Sequence, residues 1–455
     1  MPQKDIPHDL ILSLVFSGTN ILPELLYLLG PISYPSSPTP SFILFYSLSI
    51  CFASIGLRFS RFDKVFLLHP ANAFSIAHVY LRLPSANILT PLSDLIILCL
   101  FVASNLFSMF FAAYLLLLGF PPLQSINPYE DSFIPLLPAF VITLLSLGSI
   151  SSAIFLNRVK VKTSYRRFLS LILFLSLNLG LVVVSSYYPS RTIALIYYLA
   201  AISSYLLCFT KASSVFKSLF ILASILPLVY AWTSISSFKA SFELAVDVPA
   251  LLEGVWMNDT GFAFTSEYVD YLNASTGFLS PLISLLVGYL VHTFWMGYSV
   301  FEAYSVSFTG LQHSYLPIFS AYWFVGAISS LLDLTFYRQF VDAYLEWGIS
   351  TYPSSYRSWY GFPSRLYQDY GFVLGLLAAF FQGLLFRLLF IFSVKYQPFA
   401  AIRILSLFIL YLAVFLSVAT GLFGECSLLV ALLNVFGLIV FGVLRCFLAP
   451  SQLGK

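Results

Sequence analysis

Twelve apolar stretches, most about twenty residues long, recur along this chain and constrain its fold more than any other feature. They lie at 10–29, 41–57, 92–119, 133–156, 168–186, 192–210, 218–236, 282–300, 313–332, 366–393, 404–423 and 426–446. A helix crosses the roughly 30 Å core of a bilayer with about 20 apolar residues, and its backbone is satisfied internally. The expected fold is therefore all-α: a polytopic membrane bundle of about 12 helices, forming a single domain over residues 1–455. Composition agrees, with 59% apolar and only 9% charged residues and a mean hydropathy of +0.91. A soluble domain carries roughly 25% charged residues, so a soluble enzyme, a nucleic-acid binder and a disordered scaffold are all excluded. The 47 Phe and 29 Tyr fall in continuous runs, not in the alternation of a membrane β-barrel. Residues 65–84, with His69, His78 and Arg82, read as an amphipathic helix on the membrane surface.

Orientation follows from basic residues in short loops. Arg58/Arg61/Lys64, Arg158/Lys160/Lys162/Arg166/Arg167 and Lys211/Lys217 fall in alternate loops and are assigned to the cytoplasm. With both termini inside, 17 of 22 basic residues are cytoplasmic, and 13 of 19 acidic residues are outside. The Pro-rich turn Pro31–Pro40 is then an outer turn, and two long outer loops stand out at 237–281 and 333–365. The first is acidic (Glu243, Asp247, Glu253, Asp259, Glu267, Asp270); the second is dense in Tyr, Trp, Arg and Ser. Long loops on a helical scaffold commonly carry function. The same alternation puts His313 toward the cytoplasm, and it comes outside only if 301–316 is re-entrant.

Cys51, Cys99, Cys208, Cys426 and Cys446 all lie in apolar runs without CxxC spacing, so they are read as packing thiols. The first apolar run ends in Pro23–Glu24 without a small-residue cleavage site, and no cleavable signal peptide is expected. HExxH, DxD, GxxxxGK[ST] and GxGxxG are absent from the sequence, so no metal or cofactor is expected.

Candidate chemistry gathers on the outer side. Arg191, Arg338, Arg357 and Arg365 stand where basic residues are scarce, and a guanidinium fork fits a pyrophosphate. The alternative for each is snorkelling to headgroups or pairing with a nearby acid, as Arg338 would with Asp333 or Asp342. Asp369 lies four residues beyond Arg365, one turn into a span, where a helix would let the two pair. His292 and His313 are candidate proton acceptors, with Glu302, Asp342 and Glu346 as the remaining bases. Tyr360 and Tyr367, flanking Arg365, are candidate substrate contacts, and Glu346 sits between Tyr344 and Trp347.

Three stretches carry a resemblance. ELLYLLGPISYPSSP joins the first span to a Pro-rich turn, and YYPSRTIAL closes an outer turn with Ser190–Arg191. FPSRLYQDYGFVLGLLAAFFQGLL sets Asp369, Tyr370 and Gly371 ahead of the spaced Gly375 and Gly383. Together with the layout, they resemble the Wzy-type O-antigen and oligosaccharide repeat-unit polymerases, whose two long loops are periplasmic. Trp359–Tyr360–Gly361–Phe362 departs from the Asn-aromatic-Thr common in that family.

The resemblance implies an inner-membrane glycosyltransferase, active at the periplasmic face without a metal. It would move a growing glycan from undecaprenyl pyrophosphate onto the terminal sugar of the next lipid-linked unit. Its partners would be undecaprenyl-pyrophosphate-linked glycans and membrane lipids, with the chain-length regulator and flippase of the same pathway. In this reading Arg191, Arg338, Arg357 and Arg365 hold pyrophosphate and Asp369 orients one of them. His313 or Glu346 is the base, and Tyr360 and Tyr367 line the substrate site. Two alternatives stay open: a lipid-linked oligosaccharide flippase, disfavoured by the two long loops, and an O-antigen ligase, for which an outer His–Arg constellation would argue.

Overall fold

The computed structural model describes residues 8–30, 32–33, 37–59, 263–274, 279–332, 334–351, 360–393, 397 and 399–448. The expected spans between 92 and 236, the surface helix at 65–84, Arg191 and Arg357 lie outside these residues. The described chain is mostly helical. In order it forms α1 (His8–Leu29), β1 (Ile32–Ser33), α2 (Pro40–Arg58), β2 (Ala263–Phe264), α3 (Ser266–Ala274), α4 (Leu279–Ser305), α5 (Tyr322–Leu332), α6 (Thr335–Thr351), α7 (Phe362–Ile391), α8 (Ala400–Thr420) and α9 (Glu425–Leu448). Among the described residues α1, α2 and α7 are long and apolar enough to cross a membrane.

The chain divides into two compact units. One holds residues 1–80, 240–396 and 409–435; the other holds 81–239, 397–408 and 436–455. In the second, Phe399 packs edge-on against Phe441 and Gly437 leaves room for the Gln397 amide.

The first unit is built on the pairing of α2 with α7, which run side by side in the same direction. Phe45 meets Tyr367 and Phe372 near one end, and Arg387 donates to the Leu57 carbonyl at the other, 2.7 Å away. Small residues make this approach close. Gly375, Ala379 and Gly383 recur every fourth residue on α7 and are buried, opposite Ala53 and Gly56 of α2. A β-carbon on Gly56 would collide with the Phe380 carbonyl oxygen, and one on Gly383 with that of Ala53. Backbone thus lies against backbone, the small-xxx-small packing that membrane helices use in place of a hydrophobic driving force.

Over this pair, α1 and α4 add an aromatic core. Phe42 touches Phe294, Tyr298 and Phe301 with ring centroids 5.2–5.3 Å apart, and Tyr46 meets Phe294 at 4.9 Å. Glu24, the acid inside α1, is buried and accepts a hydrogen bond from Ser47 at 3.2 Å, so its burial is partly compensated.

Two connections fix which ends meet. β1, in the Pro-rich turn, pairs antiparallel with β2, in the long 237–281 segment, as Ile32 with Phe264 and Ser33 with Ala263. Thr39 Oγ1, just before α2, donates to Glu302 Oε1 near the end of α4 at 3.1 Å. The end of α4 therefore lies at the same end of the unit as the 31–40 turn. The charge pattern had put the segment after α4 on the opposite face, and the contact corrects that placement.

The expected span 313–332 is also corrected. Residues 306–321 carry one 3-10 turn, Ser307–Thr309, and α5 has only 11 residues, about 16 Å. Gly310 takes φ +73°, Tyr315 takes φ +55°, and Pro317 lacks the N–H that a helix needs. The segment 333–365, expected as a loop, includes the 17-residue helix α6.

Candidate functional site

The site is built on a break in α7. The helix starts after Gly361 with Pro363 in its first turn, and its path departs from helical geometry at Gly371, at φ +70° and ψ −163°. That conformation is essentially restricted to glycine. A helix interrupted there cannot use the carbonyls of the preceding turn in the ordinary i to i−4 ladder. Two of them serve the 311–321 segment instead. His313 Nδ1 lies 3.1 Å from the Gln368 oxygen, and the Tyr315 N–H donates to the Asp369 oxygen at 2.8 Å.

A carbonyl can only accept, so Nδ1 carries the hydrogen and the neutral ring keeps its lone pair on Nε2. That nitrogen faces the bare Cα of Gly371: a β-carbon there would stand 3.2 Å from it. The ring is partly exposed, lies face to face with Tyr304 at 5.6 Å and meets Tyr367 edge-on at 5.3 Å.

Asp369 closes the other half of the segment. Its carboxylate is fully buried and accepts from the Phe319 N–H at 3.0 Å, the Ser320 N–H at 2.8 Å and Ser314 Oγ at 3.2 Å. These amides belong to the turn that leads into α5, and buried away from water they need an acceptor. Asp369 therefore holds the turn that precedes α5 from 50 residues away and ties both ends of 314–320 to α7.

The expected Arg365–Asp369 pair is replaced by a different arrangement, because the acid is occupied by main-chain donors. Arg365 Nε donates to the Tyr360 carbonyl and Nη1 to the Phe319 carbonyl, both at 3.1 Å, with the guanidinium 4.6 Å above the Tyr360 ring. Gly421, at φ +85° between α8 and α9, passes beside its stem, where a β-carbon would lie 3.4 Å from Cδ.

Behind Arg365 runs a chain of polar side chains. The Tyr344 and Tyr360 rings meet at 6.0 Å, Tyr360 donates to Gln368 Oε1, and Gln368 Nε2 donates to the Tyr304 hydroxyl at 2.9 Å. Burial pushes the Tyr344 phenol well up from its ordinary value, and raises that of Tyr360 although the Arg365 guanidinium pulls the other way. Both stay protonated.

Of the residues singled out from sequence, the structure brings together His313, Asp369, Arg365, Tyr360 and Tyr367. Tyr360 and Tyr367 are buried at 3% and 8% exposure, so both are packed into the wall of the site and neither presents a face for a sugar to stack on. Tyr367 shares a hydrogen bond with Ser305 at 2.8 Å. Arg338 and Glu346 do not join them. Both sit on the exposed face of α6, while the buried face carries Tyr344. Gln368, Ser314 and Tyr304 went unremarked in the sequence and Tyr344 entered only as a neighbour of Glu346; an amide next to an intramembrane acid was the one available signal for Gln368.

Comparison of the chain with family models, with curated proteins and with solved structures finds no match.

Proposed function

We propose that this chain is a membrane glycosyltransferase that polymerises undecaprenyl-pyrophosphate-linked repeat units. The observation that carries the reading is that one turn of α7 anchors both an imidazole with a free lone pair and a guanidinium with donors to spare. Of the five N–H groups of a guanidinium, two are committed to the Tyr360 and Phe319 carbonyls, and three are left for an anion.

The reaction assigned to this pair is a displacement. The acceptor hydroxyl on the incoming repeat unit attacks the anomeric carbon of the growing chain. The bond from that carbon to the phosphate oxygen breaks, and undecaprenyl pyrophosphate leaves with the electron pair. His313 Nε2 takes the hydroxyl proton, and Arg365 meets the charge that develops on the leaving oxygen. Arg357 is assigned to the same pyrophosphate. Asp369 is a positioning residue: it holds the segment that supplies His313 and the Phe319 carbonyl under Arg365. Arg338 and Glu346 receive no part in it.

The proximity of His313 to the Arg365 turn also favours a second reading, an O-antigen ligase using the same donor with a lipid A core as acceptor. Deletion of the gene separates them. A polymerase deletion leaves surface lipid bearing a single repeat unit and no length ladder. A ligase deletion leaves polymer on the polyprenyl carrier and none on the core. Complete loss of surface glycan with lipid-linked units held in the cytoplasm indicates a flippase and overturns both readings.

A further inference from the structure

We propose that Tyr315 is the platform on which the acceptor sugar lies beside His313. The proposal rests on the polymerase reading for the nature of that sugar, and it supplies the aromatic contact that the buried Tyr360 and Tyr367 cannot give. Tyr315 is the one non-glycine residue at positive φ among the described residues, at +55°, a region that glycine occupies without steric cost. Gly310, in the same segment, sits there freely. A bulky side chain held in that region points to a constrained, functional position.

The backbone around Tyr315 is fixed from both sides. Its own N–H donates to the Asp369 main-chain oxygen at 2.8 Å, one of the acceptors released by the break at Gly371. Before it, Ser314 Oγ shares its proton between Asp369 Oδ1 at 3.2 Å and the Leu316 carbonyl at 2.8 Å. After it, the Ile318 N–H donates to that same carbonyl at 2.8 Å. The side chain is left bare: Tyr315 is 62% exposed, and among the described residues its ring meets one other, His313, edge-on at 6.1 Å. A flat ring with two rotatable bonds offers a large contact area at small entropic cost, apolar on its faces and polar at its tip. That suits a sugar, whose ring C–H groups lie on an aromatic face while its hydroxyls stay outward. Here those hydroxyls come beside the imidazole assigned to take the proton. A tyrosine of an interfacial aromatic belt needs no such anchoring. Phe308, 89% exposed on the 3-10 turn, meets no other ring among the described residues and serves as the comparison.

The test uses the full chain in nanodiscs, with the repeat-unit oligosaccharide hydrolysed from the source cells' lipid carrier as the probe. Saturation of the protein's aromatic protons is expected to pass to the sugar ring protons in the wild-type chain, in Tyr315→Phe and in Phe308→Ala. In Tyr315→Ala and Tyr315→Gly it should fall several-fold. Tyr315→Gly also relieves the positive φ, so it should be no less stable than the wild type while losing the transfer. In proteoliposomes supplied with lipid-linked repeat units, both variants should raise KM roughly 3- to 10-fold with kcat unchanged, the worth of one aromatic contact that holds ground and transition states alike. Full transfer or a wild-type KM in Tyr315→Gly, an equal loss in Phe308→Ala, or a fall in kcat alone overturns the proposal. A wild-type chain that passes no saturation to the oligosaccharide overturns it too. Tyr315-dependent transfer without chain extension by the wild-type protein leaves the platform in place and counts against the polymerase reading alone.

Discussion

His313 Nδ1 and the main-chain oxygen of Gln368 lie 3.1 Å apart, and this contact decides the chemistry that the imidazole can offer. The oxygen is available because α7 breaks at Gly371, three residues later. One glycine therefore does two things: it releases the acceptor that fixes the tautomer, and it leaves bare the space in front of Nε2.

Gly371→Ala tests both effects. An alanine at φ +70° costs roughly 1–3 kcal/mol, and its β-carbon would sit 3.2 Å from Nε2. The variant is expected to unfold at lower temperature, and its His313 to react more slowly with diethylpyrocarbonate than in the wild-type chain. An unchanged rate of modification would show that Nε2 is reached from another side.

Asp369 is predicted to be needed for the fold of 314–320 more than for proton transfer. Asp369→Ala leaves the Phe319 and Ser320 amides buried without a partner, at roughly 1–3 kcal/mol each. Asp369→Asn keeps the shape but turns an NH₂ toward one of those donors, so it should fall between alanine and wild type. Unfolding by SDS titration in bicelles gives the order, and cleavage within 311–321 by a nonspecific protease should rise in parallel. Wild-type protection in Asp369→Ala would remove the acid from its role in holding 314–320.

Much of this was legible in the chain. Run length alone located α1, α2, α4, α7, α8 and α9 to within about five residues, because a span of that length has few other ways to satisfy its backbone. The 313–332 run failed because hydropathy counts Tyr315, Leu316, Ile318 and Phe319 as membrane residues, whatever path the backbone takes. Nothing local announces that the Phe319 amide is held by an acid 50 residues further on. His313 was misplaced for a related reason: residues 301–312 contain no Lys or Arg, so the charge rule had nothing to read there. Arg365 and Asp369 were recognisable as special by cost alone, but their partners are main-chain atoms, which leave no mark on the sequence.

The α2–α7 contact yields a prediction about stability. Gly383→Leu inserts a side chain where the Ala53 backbone already stands, and helix separation is the only way to admit it. The variant should lose the folded state in mild detergent, seen as a collapsed monodisperse peak in size-exclusion chromatography. Leu377→Ala on the exposed side of α7 should stay within about 0.5 kcal/mol of wild type. Equal behaviour of the two would remove the small-residue stripe from the account of the fold.

Arg365→Lys separates charge from geometry. The guanidinium reaches the Tyr360 and Phe319 carbonyls with two N–H groups and still presents three more from a flat fork. An ammonium has three donors at one point; spent on the two carbonyls, they leave one for an anion. It also loses the planar stacking over Tyr360. Removing a preorganised donor from a developing anion costs roughly 10²–10³ in kcat, and a loss of that order is expected for chain extension in proteoliposomes. Folding should persist, because lysine still satisfies both carbonyls. Arg58→Lys, exposed at the far end of α2, is the matched control and should extend chains at the wild-type rate. If Arg365→Lys keeps full activity as well, the positive charge suffices and the fork geometry carries nothing.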